Sequence, residues 1–142
     1  MKSISLYLIG VLIALLVVGF ESGTILRHVI QVIPIILSII LVWQRFKWSS
    51  FFALGVFTIW FLIMCCIWLH LLNITHPVNG TFTVIEIILT IGIGMCCVSG
   101  MLNSIRNAPK QNPTLLLSVL ITSLALQFGF VVLSMQPAIA YK

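Results

Sequence analysis

The stretch ISLYLIGVLIALLVVGF, residues 4–20, contains no charged residue and decides the class of fold. An apolar run of this length can cross the hydrocarbon core of a bilayer as a helix. Four more apolar runs follow it, separated by short polar links. The sequence therefore predicts five transmembrane helices, at about residues 4–20, 25–43, 49–72, 82–102 and 113–136.

The composition leaves little material for a water-soluble domain. Of the 142 residues, 61% are hydrophobic and only 6% are charged, and the mean hydropathy is +1.27. So few polar side chains cannot cover a soluble globule of this size, so the surrounding medium that we expect is a lipid bilayer. No repeat or linker divides the chain. We therefore expect residues 1–142 to form a single domain, an all-α integral membrane bundle.

Turn, cap and kink signals mark where the helices should begin, bend and end. Gly23 lies in a polar turn after the first run, and Glu21 stands where a cleaved signal peptide would need a small residue. Pro34 lacks an amide proton, so it predicts a kink near Ile30 in the second span. Asn112 and Pro113 suit the cap and the first position of the fifth helix.

Three tryptophans near predicted helix ends fit an interfacial aromatic belt, namely Trp43, Trp48 and Trp68.

The distribution of lysine and arginine predicts the orientation of the bundle. Five of the seven basic residues fall on the side of the N-terminus, namely Lys2, Arg45, Lys47, Arg106 and Lys110. Only Arg27 and Lys142 fall on the other side. The richer side is expected to be cytoplasmic, which places the N-terminus in the cytoplasm and the C-terminus outside.

The scattered basic residues do not form a patch with aromatics, so we expect no nucleic-acid partner. The compact chain favours a bacterial inner (plasma) membrane.

Both acidic residues, all three histidines, Arg27 and two glutamines fall near the predicted external face. They lie in external turns or in the outer part of a span, and comprise Glu21, Arg27, His28, Gln31, His70, His76, Glu86 and Gln127. Ionisable groups are costly in lipid, so they tend to point into a bundle, pair with one another and mark a site. The clustering therefore predicts a ligand or ion-pair site. For Glu21 and Arg27 the alternative is that the side chains extend to the interface.

Helical spacing predicts which polar positions share an interior face. Residues at intervals of three and four lie on one side of a helix. Three stripes satisfy this rule: Arg27, Gln31, Pro34 and Ser38 in the second span, Cys66, His70 and Asn73 in the third, and Thr83, Glu86, Thr90, Gly94 and Cys97 in the fourth. We expect all three stripes to face a common interior.

Small residues at every fourth position of the fourth span predict a face for close helix packing. These residues are Gly92, Cys96 and Gly100. Because small or polar residues then occupy two faces of this span, we expect it to be the central helix. The same feature favours assembly into a homo-oligomer or a larger membrane complex.

The residue types present favour a non-catalytic protein. There is no catalytic constellation, phosphate loop or metal-ligand cluster, and we expect no cofactor and no metal. The leading interpretation is an accessory subunit or a lipid- or solute-binding bundle with a polar site near the external face. One alternative is a redox protein that binds haem b or quinone through His28 and His70. Another is a small ion- or proton-coupled transporter that uses Glu86 and Arg27.

Overall fold

The computed structural model describes residues 2–74 and 82–136 of the chain. These residues form six helices and the links between them. The helices are α1 (Lys2–Glu21), α2 (Ile25–Gln31), α3 (Ile33–Trp43), α4 (Ser49–Leu71), α5 (Val84–Arg106) and α6 (Pro113–Ser134). Helices α2 and α3 together form one crossing, so five helical segments are long and apolar enough to span a membrane. The predictions of an all-α fold and of five such segments are confirmed for these residues. The predicted site residue His76 and the C-terminal Lys142 lie outside the described residues.

The second crossing is interrupted at Val32, between α2 and α3. The interruption lies two residues beyond the kink predicted near Ile30. Pro34 falls in the first turn of α3, where a missing amide proton costs little because the first amides of a helix have no helical acceptor. The proline is therefore accommodated by starting a new helix rather than by bending a continuous one.

Helix α5, which corresponds to the fourth predicted span, begins later and ends later than predicted. It begins at Val84 because Thr83 caps it: the Glu86 amide donates to Thr83 Oγ1 at 3.2 Å, and the Thr83 amide donates to Glu86 Oε2 at 2.7 Å. This reciprocal pair is a capping box. At the other end the helix continues to Arg106, and Asn103 Nδ2 donates to the Ser99 carbonyl one turn earlier. Glu86 consequently lies in the first turn of α5.

The start of α6 agrees with the sequence. Asn112 Oδ1 accepts a hydrogen bond from the Thr114 amide at 3.0 Å, and Pro113 is the first helical residue. The predicted turn after α1 is also present, since Gly23 adopts a φ of 66°. Local capping and turn chemistry thus fixed these two boundaries.

Helices α1 and α4 each contact four of the other helices. Helix α1 packs against α2, α3, α4 and α5, whereas α4 packs against α1, α3, α5 and α6. Helix α5 makes the two most extensive helix–helix contacts of the described residues, with α1 and α4, but it touches fewer helices than either of them, so the prediction that the fourth span is central holds only in part. The interior is filled by large apolar side chains such as Leu8 of α1, Ile35 of α3 and Phe57 of α4.

The predicted packing face of the fourth span is divided among three environments. Gly100 is buried directly beneath the Phe57 ring, and a Cβ added at Gly10 of α1 would lie 3.2 Å from Cys96 Sγ. Gly92 is exposed, and nothing lies within 4 Å of the position of an added Cβ. The reason is geometric, because each step of four residues rotates the position by about 40° around the helix. The prediction of one continuous face is therefore wrong, and Gly92 contacts no neighbouring helix among the described residues.

Trp68 also differs from its predicted role in the aromatic belt. Its indole ring packs over Gly94 of α5, and its Nε1 donates to Thr90 Oγ1 at 3.4 Å. Trp43, by contrast, is exposed, as a belt residue should be. The absence of a side chain at Gly94 is what allows Trp68 to turn into the bundle.

Candidate ligand-binding site

A cavity of about 100 Å³ lies between α1, α2, α4, α5 and α6. Most of its wall is apolar, with Leu15 and Met64 among the lining residues. Six polar or amphipathic side chains also line it, namely Arg27, His28, Gln31, Trp60, Glu86 and Thr90. The structure therefore brings together four of the predicted site residues, Arg27, His28, Gln31 and Glu86.

His28 is held in place by the turn between α1 and α2. Its Nδ1 lies 3.1 Å from the Thr24 carbonyl oxygen and 3.2 Å from Thr24 Oγ1. Its Cβ packs against Gly19 of α1, where an added Cβ would come within 2.8 Å. Ser22 Oγ bonds in turn to Thr24 Oγ1 at 2.6 Å. The glycine and the polar turn together fix the imidazole at the cavity wall.

Gln31, the last residue of α2, connects the cavity to α6. Its Nε2 donates to Ser134 Oγ at 2.8 Å, and Ser134 Oγ donates to the Val131 carbonyl. The Gln31 carbonyl accepts a hydrogen bond from Gln127 Nε2 at 3.1 Å. All three side chains of this Gln31–Gln127–Ser134 cluster are buried. Gln127 is therefore not part of the cavity wall; it supports the wall by bonding the backbone at the end of α2.

Glu86 is buried at the cavity, but its carboxylate already has local partners. One oxygen accepts the Thr83 amide in the capping box. The carboxylate also lies in the first turn of α5, where the partial positive charge of the helix N-terminus stabilises an anion. Helix capping therefore accounts for much of the position of Glu86.

Two N–H groups of cavity-lining residues have no hydrogen-bond partner in the described part of the chain. They are Arg27 Nε and Trp60 Nε1, and both atoms are buried. Trp60 is only 3% exposed. A buried N–H without an acceptor costs roughly 1–3 kcal/mol, and more when the group is charged. Within the described residues neither donor has an acceptor, so each carries this cost unless another molecule supplies one.

The remaining predicted residues lie away from this cavity. Glu21 is exposed at the end of α1. The His70 ring packs edge-on against Phe82, with ring centroids 6.0 Å apart, and does not line the cavity wall. His28 and His70 are therefore not brought to one cavity. Within the described residues, no group of three or more His, Cys, Asp or Glu side chains is placed to hold a metal ion.

The stripe predicted on the third span does not face the interior. Cys66 and Asn73 are exposed and His70 is half-buried, so this prediction was wrong. Another face of α4 is buried instead, and it carries Phe57, Trp60 and Met64. Large apolar side chains gain more from close packing than a thiol or an amide does, so they determine which side of the helix is buried.

Sequence reasoning missed two residues that shape the site. Trp60 lies in the middle of a span, away from the interfaces where indole groups usually find polar partners; that position was the available signal. Ser134 lies seven residues after Gln127 and therefore on the same helix face. The capping box was visible as Thr83 followed three residues later by Glu86.

The arrangement can hold a small polar species but not a large one. Pockets for drug-sized ligands measure roughly 300–1,000 Å³, whereas this cavity measures about 100 Å³. That volume suffices for a few water molecules or a small solute, since one water occupies about 30 Å³ in the liquid.

Comparisons with protein-family models, with curated proteins and with solved structures gave no match.

Proposed function

We propose that this protein is a non-catalytic integral membrane bundle that binds a small polar solute in the cavity between α1, α2, α4, α5 and α6. The observation that carries the proposal is the pair of buried, unpartnered donors, Arg27 Nε and Trp60 Nε1, on two residues that line the cavity. A solute that supplies acceptors would remove the cost of leaving these donors unpaired.

The size of the cavity favours a solute over the larger ligands considered from the sequence. A lipid headgroup, a quinone or a haem needs several times the volume available. His70 also lies outside the cavity, which favours the solute over a haem held by His28 and His70. A visible absorption spectrum of the purified protein tests the haem alternative, which predicts a strong haem band.

We also propose the orientation and the membrane. The N-terminus is cytoplasmic and the C-terminus external in a bacterial inner membrane, which places the cavity near the external face. The proposal is supported by the lysine and arginine count. Lys2 and Arg45 also line one surface cavity of about 240 Å³, so these two basic residues lie at one end of the bundle. A reporter fused after Lys142 is expected to read as external, and a cytoplasmic reading would reverse the orientation.

The binding proposal is tested by asking which small molecules leave the purified protein on denaturation. Wild type is expected to release a small polar solute in stoichiometric amount. The double variant Arg27→Gln/Glu86→Gln is expected to release little of it. Arg106→Gln is the matched control, since it removes a charge from an exposed residue near the C-terminal end of α5. Equal release from all three proteins, or no solute from wild type, would contradict the proposal.

A small transporter is the second candidate function, and the interruption at Val32 favours it. Interrupted helices beside a binding site are common in transporters, and here the short helix α2 carries three cavity side chains. This candidate predicts solute uptake into vesicles that contain the protein, and loss of that uptake in Glu86→Gln.

Self-association or membership of a larger membrane complex stays a prediction from the sequence.

A further inference from the structure

Arg27 is the charged group of the cavity with the least local compensation. Glu86 accepts the Thr83 amide and benefits from the N-terminus of α5. Arg27 is the third residue of α2, where the helix dipole disfavours a positive charge. Its Nε is buried without a partner in the described ranges. Arg27 as a whole is half-buried, and no carboxylate among the described residues forms an ion pair with it, so an anion in the cavity would be its partner.

Trp60 adds a second requirement for the same ligand. Its indole N–H is a donor only, it is buried, and no described residue accepts from it. A ligand that satisfies both Trp60 and Arg27 must therefore present more than one acceptor lone pair. A carboxylate group meets this requirement with two oxygens and a negative charge.

The rest of the cavity wall indicates which group the ligand carries besides its anionic group. It is formed largely by aliphatic and thioether side chains, including Leu15, Met64 and Ile93. An inorganic anion would leave this surface facing a strongly hydrated ion, whereas a short alkyl group would bury apolar area against it. The volume of about 100 Å³ limits that alkyl group to a few carbon atoms.

We infer that the cavity binds a short-chain monocarboxylate of the size of propionate. Its carboxylate oxygens accept from Arg27 Nε and Trp60 Nε1, and its alkyl group packs against the aliphatic wall. This inference rests on the proposed function and names the chemical class of the solute. Glu86 is a neighbour of the bound anion rather than its counter-charge.

The test is equilibrium binding of radiolabelled propionate to the full chain in lipid nanodiscs, with empty nanodiscs as the blank. Saturable binding is expected, and propionamide, which has nearly the same shape but no charge, should compete at least tenfold more weakly. Arg27→Gln should weaken binding at least tenfold. Trp60→Phe keeps a large ring but removes the N–H, and it should weaken binding about three- to tenfold, in line with the loss of a neutral hydrogen bond.

Two variants serve as matched controls. Trp43→Phe makes the same chemical change at an exposed tryptophan, and Arg106→Gln removes an exposed charge far along α5 from Glu86. Neither should change the affinity. Should Arg27→Gln fail to fold, the comparison of Trp60→Phe with Trp43→Phe still decides the result, because each retains an aromatic ring.

The possible outcomes separate this inference from the proposed function. Propionamide binding as tightly as propionate would overturn the requirement for an anion and leave a polar-solute site standing. Equal affinities of Trp60→Phe and Trp43→Phe would overturn the placement of the carboxylate. If propionate does not bind while wild type still releases another solute on denaturation, only the carboxylate assignment fails. If neither is observed, both proposals fail.

Discussion

The polar stripes of the second and third crossings have the same helical spacing and opposite outcomes. In the second crossing, Gln31, Pro34 and Ser38 are buried. In the third, Cys66 and Asn73 are exposed. The difference lies in what each helix carries elsewhere: α4 has large aromatic side chains on another face, whereas α2 and α3 have none that compete. In a bilayer, helices associate through close packing rather than through exclusion of apolar groups from water. Large side chains therefore determine which face of a helix is buried when they lie on a different face from the polar residues.

The largest effect is expected where an aromatic ring of α4 packs on a glycine of α5. Gly100→Leu should lower the free energy of unfolding by about 3 kcal/mol, because the added side chain would occupy the space of the Phe57 ring. Gly92→Leu is the matched control and should change stability by less than about 0.5 kcal/mol. Denaturation of the detergent-solubilised protein measures both. Equal losses would show that packing against Phe57 does not determine the buried face of α4.

The next effect concerns the support that α6 gives to the polar stripe of the second crossing. Gln127→Leu should cost about 1–2 kcal/mol, because the Gln31 carbonyl loses its donor and stays buried. The loss is limited because Gln127 Oε1 itself has no partner among the described residues and is removed as well. Gln136→Leu makes the same change at an exposed glutamine. A Gln127 variant as stable as the Gln136 variant would mean that this bond does not hold α2 against α6.

A smaller effect is expected at the capping box of α5. Thr83→Ala should lower the free energy of unfolding by about 1 kcal/mol, since the Glu86 amide loses its acceptor. Thr122→Ala is the control, because Thr122 is exposed and bonds only to the Ser118 carbonyl of its own helix. The same denaturation assay applies. Were the two variants equally stable, the position of Glu86 would depend on the cavity and not on the cap.

The smallest effect is expected on the exposed stripe of the third crossing. Cys66→Ser should change the free energy of unfolding by less than about 0.5 kcal/mol, because an exposed hydroxyl in a helix can bond to a carbonyl of its own preceding turn. Cys97→Ser should cost more, since Cys97 is fully buried in α5. A larger loss at Cys66 than at Cys97 would reverse the assignment of inner and outer faces.

The sequence was sufficient for features that depend on neighbouring residues along the chain. Apolar length located the five candidate membrane-spanning segments, and Asn112 and Pro113 located the start of α6. Pro34 predicted a kink near Ile30, within two residues of the observed interruption. It was insufficient for features that depend on which helices touch. The inward turn of Trp68, the unpartnered N–H of Trp60 and the bond from Gln127 to α2 all require knowing the neighbour. In the candidate site, the clustering of Arg27, His28, Gln31 and Glu86 was predictable, whereas the absence of His70 from the wall was not.

The interruption at Val32 has a consequence for how the molecule opens. Helix α2 has only seven residues, or about 10 Å of helix. It is held at its middle by His28, which packs against Gly19, and at its C-terminal end by Gln31, which bonds to Ser134. Such a segment can detach as a small cooperative unit while α3 stays folded. We expect amide hydrogens of α2 to exchange with deuterium before those of α3. An occupied cavity should slow that exchange. The exchange rate of the α2 amides, which span two helical turns, therefore reports whether a ligand is bound.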